Sequence, residues 1–303
     1  MLALFGPTAV GKSALAHALA IDLGGEVVVA DPYQRYRGLE IASDAPGDAA
    51  MAEVGYHLVR DLDLHDEATA GAFAGEAHKV IDGLIVAGRV PVVAGGTGLY
   101  MRAALCDLDM RPAPPREVRE WAEALAADPP AARAHLARED PAAADAVDAA
   151  NPRRLARALE RAATGAPVAV GDIWQAPLRR PALVVGVDRP RDVLWPRIES
   201  RVRRELADGL VAELRAALAD GGLARAPAQI IGIREIRAIA AGQMDEVGLP
   251  DAIATRTRRL ARMQGTWMRR MRPDAVIDLG AGPATDAVPR IAALWRRARE
   301  GVG

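Results

Sequence analysis

Short apolar runs alternate with amphipathic stretches through the first hundred residues. Leu2-Ala3-Leu4-Phe5 reads as a buried strand, and residues 13–23 (SALAHALAIDL) as the helix that follows it. Gly24-Gly25 breaks that helix, and Glu26-Val27-Val28-Val29-Ala30 reads as a second strand ending at Asp31. A helical stretch over about 68–87 stops at Gly88. Val90-Pro91-Val92-Val93-Ala94 then forms a strand that ends in Gly95-Gly96-Thr97. Strands separated by helices predict a parallel sheet with right-handed crossovers, whose ligands gather at the carboxyl ends of the strands. The phosphate-loop segment below, Asp31 and Thr97 each follow such an end, so they are expected on one edge.

The texture changes between about 113 and 177. Alanine-rich helical runs are punctuated by Pro114-Pro115, Pro129-Pro130, Pro141 and Pro152, with no convincing strand. This predicts a small all-helical insertion domain between two parts of one α/β core, 1–112 and 178–303. The core resumes with the strand Ala182-Leu183-Val184-Val185-Gly186-Val187. A long helix over 191–218, helices over 228–241 and 250–271, the strand Ala275-Val276-Ile277-Asp278 and a terminal helix from about Thr285 follow.

Composition narrows the class. Half of the 303 residues are hydrophobic and the net charge is −1, so any nucleic-acid binding must come from a local patch and not a global field. Only Lys12 and Lys79 are lysines; nearly all positive charge is arginine, and arginine counts alone carry little weight. The single cysteine, Cys106, excludes an internal disulfide and fits a reducing cytosol. No run of about eighteen apolar residues is present, which predicts no membrane span. With the first strand starting at residue 2, no room is expected for a signal peptide, and a cytoplasmic location follows.

Gly6-Pro7-Thr8-Ala9-Val10-Gly11-Lys12-Ser13 fits the pattern G-x-x-x-x-G-K-[ST] at every fixed position. Loop amides of Gly6, Thr8, Ala9, Val10 and Gly11 are expected to wrap a polyphosphate, Lys12 to supply a point charge, and Ser13 to hold Mg²⁺. The strand–loop–helix context agrees, and predicts a core like that of the P-loop nucleoside triphosphate hydrolases. Asp31 is then either an Mg²⁺-holding carboxylate or a general base. Thr97 is either a turn residue or a hydroxyl donor to a leaving-group oxygen. Between Ala252 and Pro273 seven arginines and no acid occur, with Arg258, Arg262 and Arg269 on one helical face and Gln264 and Trp267 beside them. That is either a solvated face or an RNA-contacting one. Arg153, Arg154 and Arg157 form a weaker second cluster. None of the histidines has metal-ligand spacing; His57, His65 and His78 read as structural or surface residues.

These stretches, in this order, resemble the tRNA dimethylallyltransferase (tRNA isopentenyltransferase) family of bacterial type. The family's opening G-P-T-A-[SG]-G-K-[ST] is the loop above. Its next signature is similar to Asp31-Pro32-Tyr33-Gln34-Arg35-Tyr36-Arg37-Gly38-Leu39-Glu40-Ile41-Ala42-Ser43-Asp44-Ala45-Pro46, and V-x-G-G-T-x-L-Y to Val93-Ala94-Gly95-Gly96-Thr97-Gly98-Leu99-Tyr100. Further matches are Asn151-Pro152-Arg153-Arg154-Leu155-Ala156-Arg157-Ala158-Leu159 and Ile231-Gly232-Ile233-Arg234-Glu235. The most specific is Thr257-Arg258-Arg259-Leu260-Ala261-Arg262-Met263-Gln264-Gly265-Thr266-Trp267-Met268-Arg269.

The resemblance implies a monomer that binds dimethylallyl diphosphate and the anticodon stem-loop of tRNA, uses Mg²⁺, and prenylates an adenosine next to the anticodon. It implies catalytic roles for Asp31, Thr97 and Lys12. It places Asp31, Pro32, Tyr33, Gln34, Thr97, Arg119, residues 153–157, Gln229, Ile230, residues 231–234 and residues 262–269 against RNA. Pro32, Ala42, Asp44, Ala45, Ile233 and Met263 depart from the family pattern, which has serine, glycine, alanine, lysine, tyrosine and arginine there. An ATP-dependent kinase and an RNA-binding switch without catalysis are the other classes a phosphate loop allows.

Overall fold

The computed structural model describes residues 1–108, 114–165 and 173–300. The chain divides into two compact units: Met1–Leu108 with Ala176–Gly303, and Asp109–Gln175.

The larger unit is built on six parallel strands: β1 (Leu2–Phe5), β2 (Gly25–Ala30), β3 (Tyr56–His57), β4 (Val90–Gly95), β5 (Leu183–Asp188) and β6 (Ala275–Asp278). Their order is β3-β2-β4-β1-β5-β6. The register pairs Phe5 with Gly95 and Gly186, and Ala30 with Gly95. The ends of β1, β2 and β4 therefore lie side by side, which is what brings residues far apart in sequence to one edge. The central strands are buried on both faces, as their continuous Val, Leu and Ala runs require.

Helices α1 (Lys12–Leu23), α2 (Glu40–Ser43), α3 (Asp48–Glu53), α4 (Ala70–Val86) and α5 (Gly98–Leu105) belong to the first part of this unit. Its second part carries α10 (Arg191–Ala207), α11 (Leu210–Ala219), α12 (Ile233–Ala240), α13 (Leu249–Arg270) and α14 (Val288–Glu300). The helix expected over 191–218 is two helices, because Gly209 adopts φ 103° and begins a new one. The stretch 228–241 likewise divides into a short 3₁₀ turn at Pro227–Gln229 and α12. Strand β3 and helices α2, α3 and α5 carry too few periodic positions to be read from sequence. No helix among the described residues is long and apolar enough to cross a membrane.

The smaller unit contains α6 (Arg116–Ala126), α7 (Pro129–Glu139), α8 (Pro141–Ala146) and α9 (Pro152–Ala163). Three of its prolines start helices. Asp128, Asp140 and Asn151 cap α7, α8 and α9 by accepting the amides of Ala131, Ala143 and Arg154, and a proline stands at the first helical position each time. Proline lacks the amide that such a position leaves unpaired anyway. The core is small-residue packing: Ala122, Ala126, Ala132, Leu136, Ala143, Leu155, Ala156 and Leu159 are all buried. Residues 109–113 and 166–172, near the two junctions expected at about 113 and 177, lie outside the described residues.

Candidate active site

A cavity of about 460 Å³ opens at the carboxyl edge of the sheet. Thr8, Ala9, Gly11, Lys12 and Ser13 line it from the loop after β1, Asp31, Tyr33 and Gln34 from beyond β2, and Gly95 and Gly96 from the end of β4. The loop is wound tightly. Ala9 and Gly11 lie in the left-handed region at φ 62° and 106°, a conformation that glycine adopts without strain. Gly11 also packs so closely that a Cβ there would stand 2.7 Å from Ala284 Cβ. Gly6 and Val10 are buried beneath the loop, Gly6 directly against β5.

The loop carbonyls are held from behind by cations. Lys12 Nζ donates to Pro7 O at 2.7 Å, Arg197 Nε to Ala9 O at 3.0 Å, and Arg189 Nε to Val10 O at 2.8 Å. Arg201 donates to the Thr8 hydroxyl at 2.9 Å while its guanidinium pairs with Asp44 at 3.1 Å and Glu205 at 2.5 Å. Arg189 is only 4% exposed, and one of its terminal nitrogens is buried with no hydrogen-bond partner among the described residues. Fixed carbonyls orient the peptide units, and the positive charge behind them favours an anion in front. These arginines come from the turn after β5 and from α10, and are not part of the sequence-derived candidate set. Arg197, Arg201 and Arg204 recur at i, i+4 and i+7 on α10, a signal hidden by the abundance of arginine elsewhere.

Two titratable groups in the cavity are displaced. Burial lowers Lys12 to about 8, an effect that Arg201 reinforces and Asp31 and Asp44 oppose. Burial raises the Asp31 carboxyl, against the pull of the Tyr33 amide and of Lys12. Tyr33 N donates to Asp31 Oδ1 at 2.9 Å, which orients the carboxylate. Pro32 is buried next to it and adds no hydroxyl.

The expected lysine of the mouth is missing, and Asp44 instead neutralises Arg201. Its loop is held by Glu213, which accepts the amides of Ile41 and Ala42 at 2.8 Å each, and by Gln34 Nε2 donating to Ser43 O at 3.2 Å. Thr97 stands one residue beyond the lining Gly96. It is half-buried at the N-cap of α5, with its hydroxyl making no capping bond. Val27, Val29, Ala94, Leu210, Ile230, Ile253 and Leu260 add apolar wall, while Arg197, Arg201, Arg204 and Glu205 make the α10 side charged.

The residues expected against RNA divide by burial. Arg262, Met263, Thr266 and Arg269 on α13 are exposed and Trp267 is half-buried, whereas Gln264, Gly265 and Met268 are inside. Arg262 lies over the Trp195 ring at 5.9 Å, and neither Arg262 nor Arg269 has a carboxylate partner among the described residues. Arg258, by contrast, pairs with Glu199 at 2.8 Å and Arg256 with Glu235 at 2.8 Å, so part of the acid-free run is structural. Near α12, Arg234 is exposed, Gln229 and Ile231 half-buried, and Ile230, Gly232 and Ile233 buried. On α9, Arg153, Arg154 and Arg157 are exposed while Leu155 and Ala156 build the helical core. Arg119 on α6 is half-buried.

A phosphate loop after β1, a carboxylate after β2, two strands along, and a cavity with both charged and apolar walls define an α/β enzyme of the P-loop class that handles a phosphorylated substrate. The model of the IPP transferase family matches residues 34–271, and the chain belongs to that family, the tRNA dimethylallyltransferases. A tRNA dimethylallyltransferase of Thermomicrobium roseum is 40% identical over 277 residues, covering 90% of this chain and 84% of the relative. One of Salinispora arenicola is 38% identical over 301 residues, covering 98% and 87%. The crystal structure of the full-length tRNA isopentenylpyrophosphate transferase from Bacillus halodurans superposes with a TM-score of 0.74 at 29% identity, over 99% of this chain and 96% of that one.

Proposed function

We propose that this chain transfers the dimethylallyl group of dimethylallyl diphosphate to N6 of an adenosine next to the anticodon of tRNA, acting as a cytoplasmic monomer. The observation that carries the reading is a cationic phosphate loop, an oriented carboxylate and an apolar wall in one cavity. A prenyl diphosphate uses all three: the apolar wall for its hydrocarbon chain, the loop for its diphosphate and the carboxylate for the attacking amine. In the transfer, N6 attacks the allylic carbon and its bond to oxygen breaks. The electron pair leaves with the diphosphate and the amine proton passes to Asp31. Lys12, the loop amides and the Thr97 hydroxyl stabilise the departing charge. Asp31 orients the amine, a poor nucleophile, and accepts its proton.

A divalent cation fits as one carried in on the diphosphate. Ser13 lines the cavity as a hard oxygen donor, and among the described residues no cluster of three acidic, histidine or cysteine side chains forms a metal cage. Ser13 would hold the Mg²⁺, and the cation would supply neutralisation of leaving-group charge. Calorimetric titration of the protein with dimethylallyl diphosphate and, separately, with ATP tests the substrate. Clear preference for the prenyl compound is expected; equal or tighter ATP binding with phosphoryl transfer would refute the reading.

The exposed arginines of α13 and α9 supply phosphate contacts, so tRNA binding should weaken steeply with salt. Removing one contact lowers the slope of log K against log salt by about one. Arg262→Ala is expected to do this, read by filter binding of an anticodon stem-loop over a salt series. An unchanged slope would assign Arg262 to the Trp195 contact alone.

A further inference from the structure

The turn of α13 that carries Gln264 faces two ways. Gln264 is 3% exposed, and its Oε1 accepts the Thr8 amide of the phosphate loop at 2.7 Å. The same side chain occupies the space beside Gly96, where a Cβ would stand 2.4 Å from Nε2. It therefore bridges the loop after β1 and the turn after β4. Its neighbours Arg262, Met263, Thr266 and Arg269 face solvent, within five residues of it along one continuous helix. A helix turn is stiff, so fixing its outer face fixes its inner one. A buried amide that loses its acceptor is costly, which keeps loop and helix moving together.

We propose that Gln264 is a positioning residue that ties the RNA-facing side of α13 to the phosphate loop, so that RNA and diphosphate strengthen each other's binding. The proposal takes its two ligands from the reading above. Coupling of this kind is reciprocal, and a fivefold effect or more is ordinary for it. The burial of Gln264 assigns direct RNA contact to its exposed neighbours. It acts through the Thr8 amide.

The test is titration of inorganic diphosphate into the full chain, alone and saturated with an anticodon stem-loop RNA. RNA is expected to tighten diphosphate binding about fivefold or more in the unmodified protein. Gln264→Met, similar in shape but without the acceptor, should lose that enhancement and keep its RNA affinity. Gln264→Glu keeps an acceptor but adds charge, so it should bind diphosphate more weakly and retain the RNA-dependent enhancement. Three results would overturn the proposal: no enhancement in the unmodified protein, equal enhancement in Gln264→Met, or loss of RNA affinity in Gln264→Met like that of Arg262→Ala. If Gln264→Met does not fold, by its thermal melt, Gln264→Glu decides: loss of its enhancement overturns the proposal. Failure to form prenylated RNA with the binding linkage intact would refute the transfer reaction and leave the coupling standing.

Discussion

Asp31→Asn is expected to lower prenyl transfer by about 10²–10⁴-fold, the range that a positioned general base contributes. Asparagine keeps the shape and can still accept from the Tyr33 amide, which donates to Asp31 Oδ1 at 2.9 Å, but it takes no proton. Diphosphate affinity should be retained or slightly raised, because a negative charge leaves a cavity that also holds Lys12 and Arg201. The loss therefore falls on kcat more than on diphosphate binding. A pH profile adds an independent reading. Burial raises the Asp31 carboxyl above the ordinary carboxylate range, and only the ionised form accepts a proton. Activity of the unmodified enzyme should fall as pH drops through that raised value, and the variant should lack this acid limb. Near-normal turnover in Asp31→Asn would remove the base from the mechanism.

Lys12→Ala is expected to lose diphosphate binding by about 10–10²-fold and turnover by about 10²–10³-fold, the cost of one charged donor aimed at a leaving group. The ammonium also braces the loop through Pro7 O at 2.7 Å, so its removal loosens the cradle as well as discharging it. Burial lowers Lys12 to about 8 in the ligand-free protein. An incoming diphosphate favours the charged form, so binding near pH 8 should take up a proton, and affinity should fall as pH rises past it. Calorimetry in buffers of different ionisation enthalpy reads this uptake directly. It should vanish in Lys12→Ala; a buffer-dependent heat that persists there would assign the proton to another group.

Much of the site was legible because its parts are local. Gly6–Ser13 is a contiguous loop with diagnostic flanks, and Asp31 and Thr97 each close an apolar strand. Their convergence follows from the parallel order that places β1, β2 and β4 side by side. The arginines behind the loop were not legible. Arg189, Arg197 and Arg201 reach it only through the crossover from β5 to α10, and an arginine-rich chain gives such positions no contrast. The acid-free run on α13 misled in part for the same reason. Its acids come from other helices, Glu199 for Arg258 and Glu235 for Arg256. Gln264 was legible as an interleaved polar residue, but the face it takes depends on how α13 packs against α10 and β5. In the helical unit the prolines were visible as punctuation. Their capping partners Asp128, Asp140 and Asn151 explain why they begin helices as well as separate them.

The central claim is that the loop grips a leaving group, and that its phosphates are released and not transferred. Mass spectrometry of an anticodon stem-loop RNA, incubated with the protein, Mg²⁺ and either dimethylallyl diphosphate or ATP, tests this most directly. The account predicts a prenyl group on one adenosine, with an equal amount of free diphosphate, in the first reaction, and an unaltered RNA in the second. A phosphorylated RNA with ATP, or an unmodified RNA with dimethylallyl diphosphate, would contradict it.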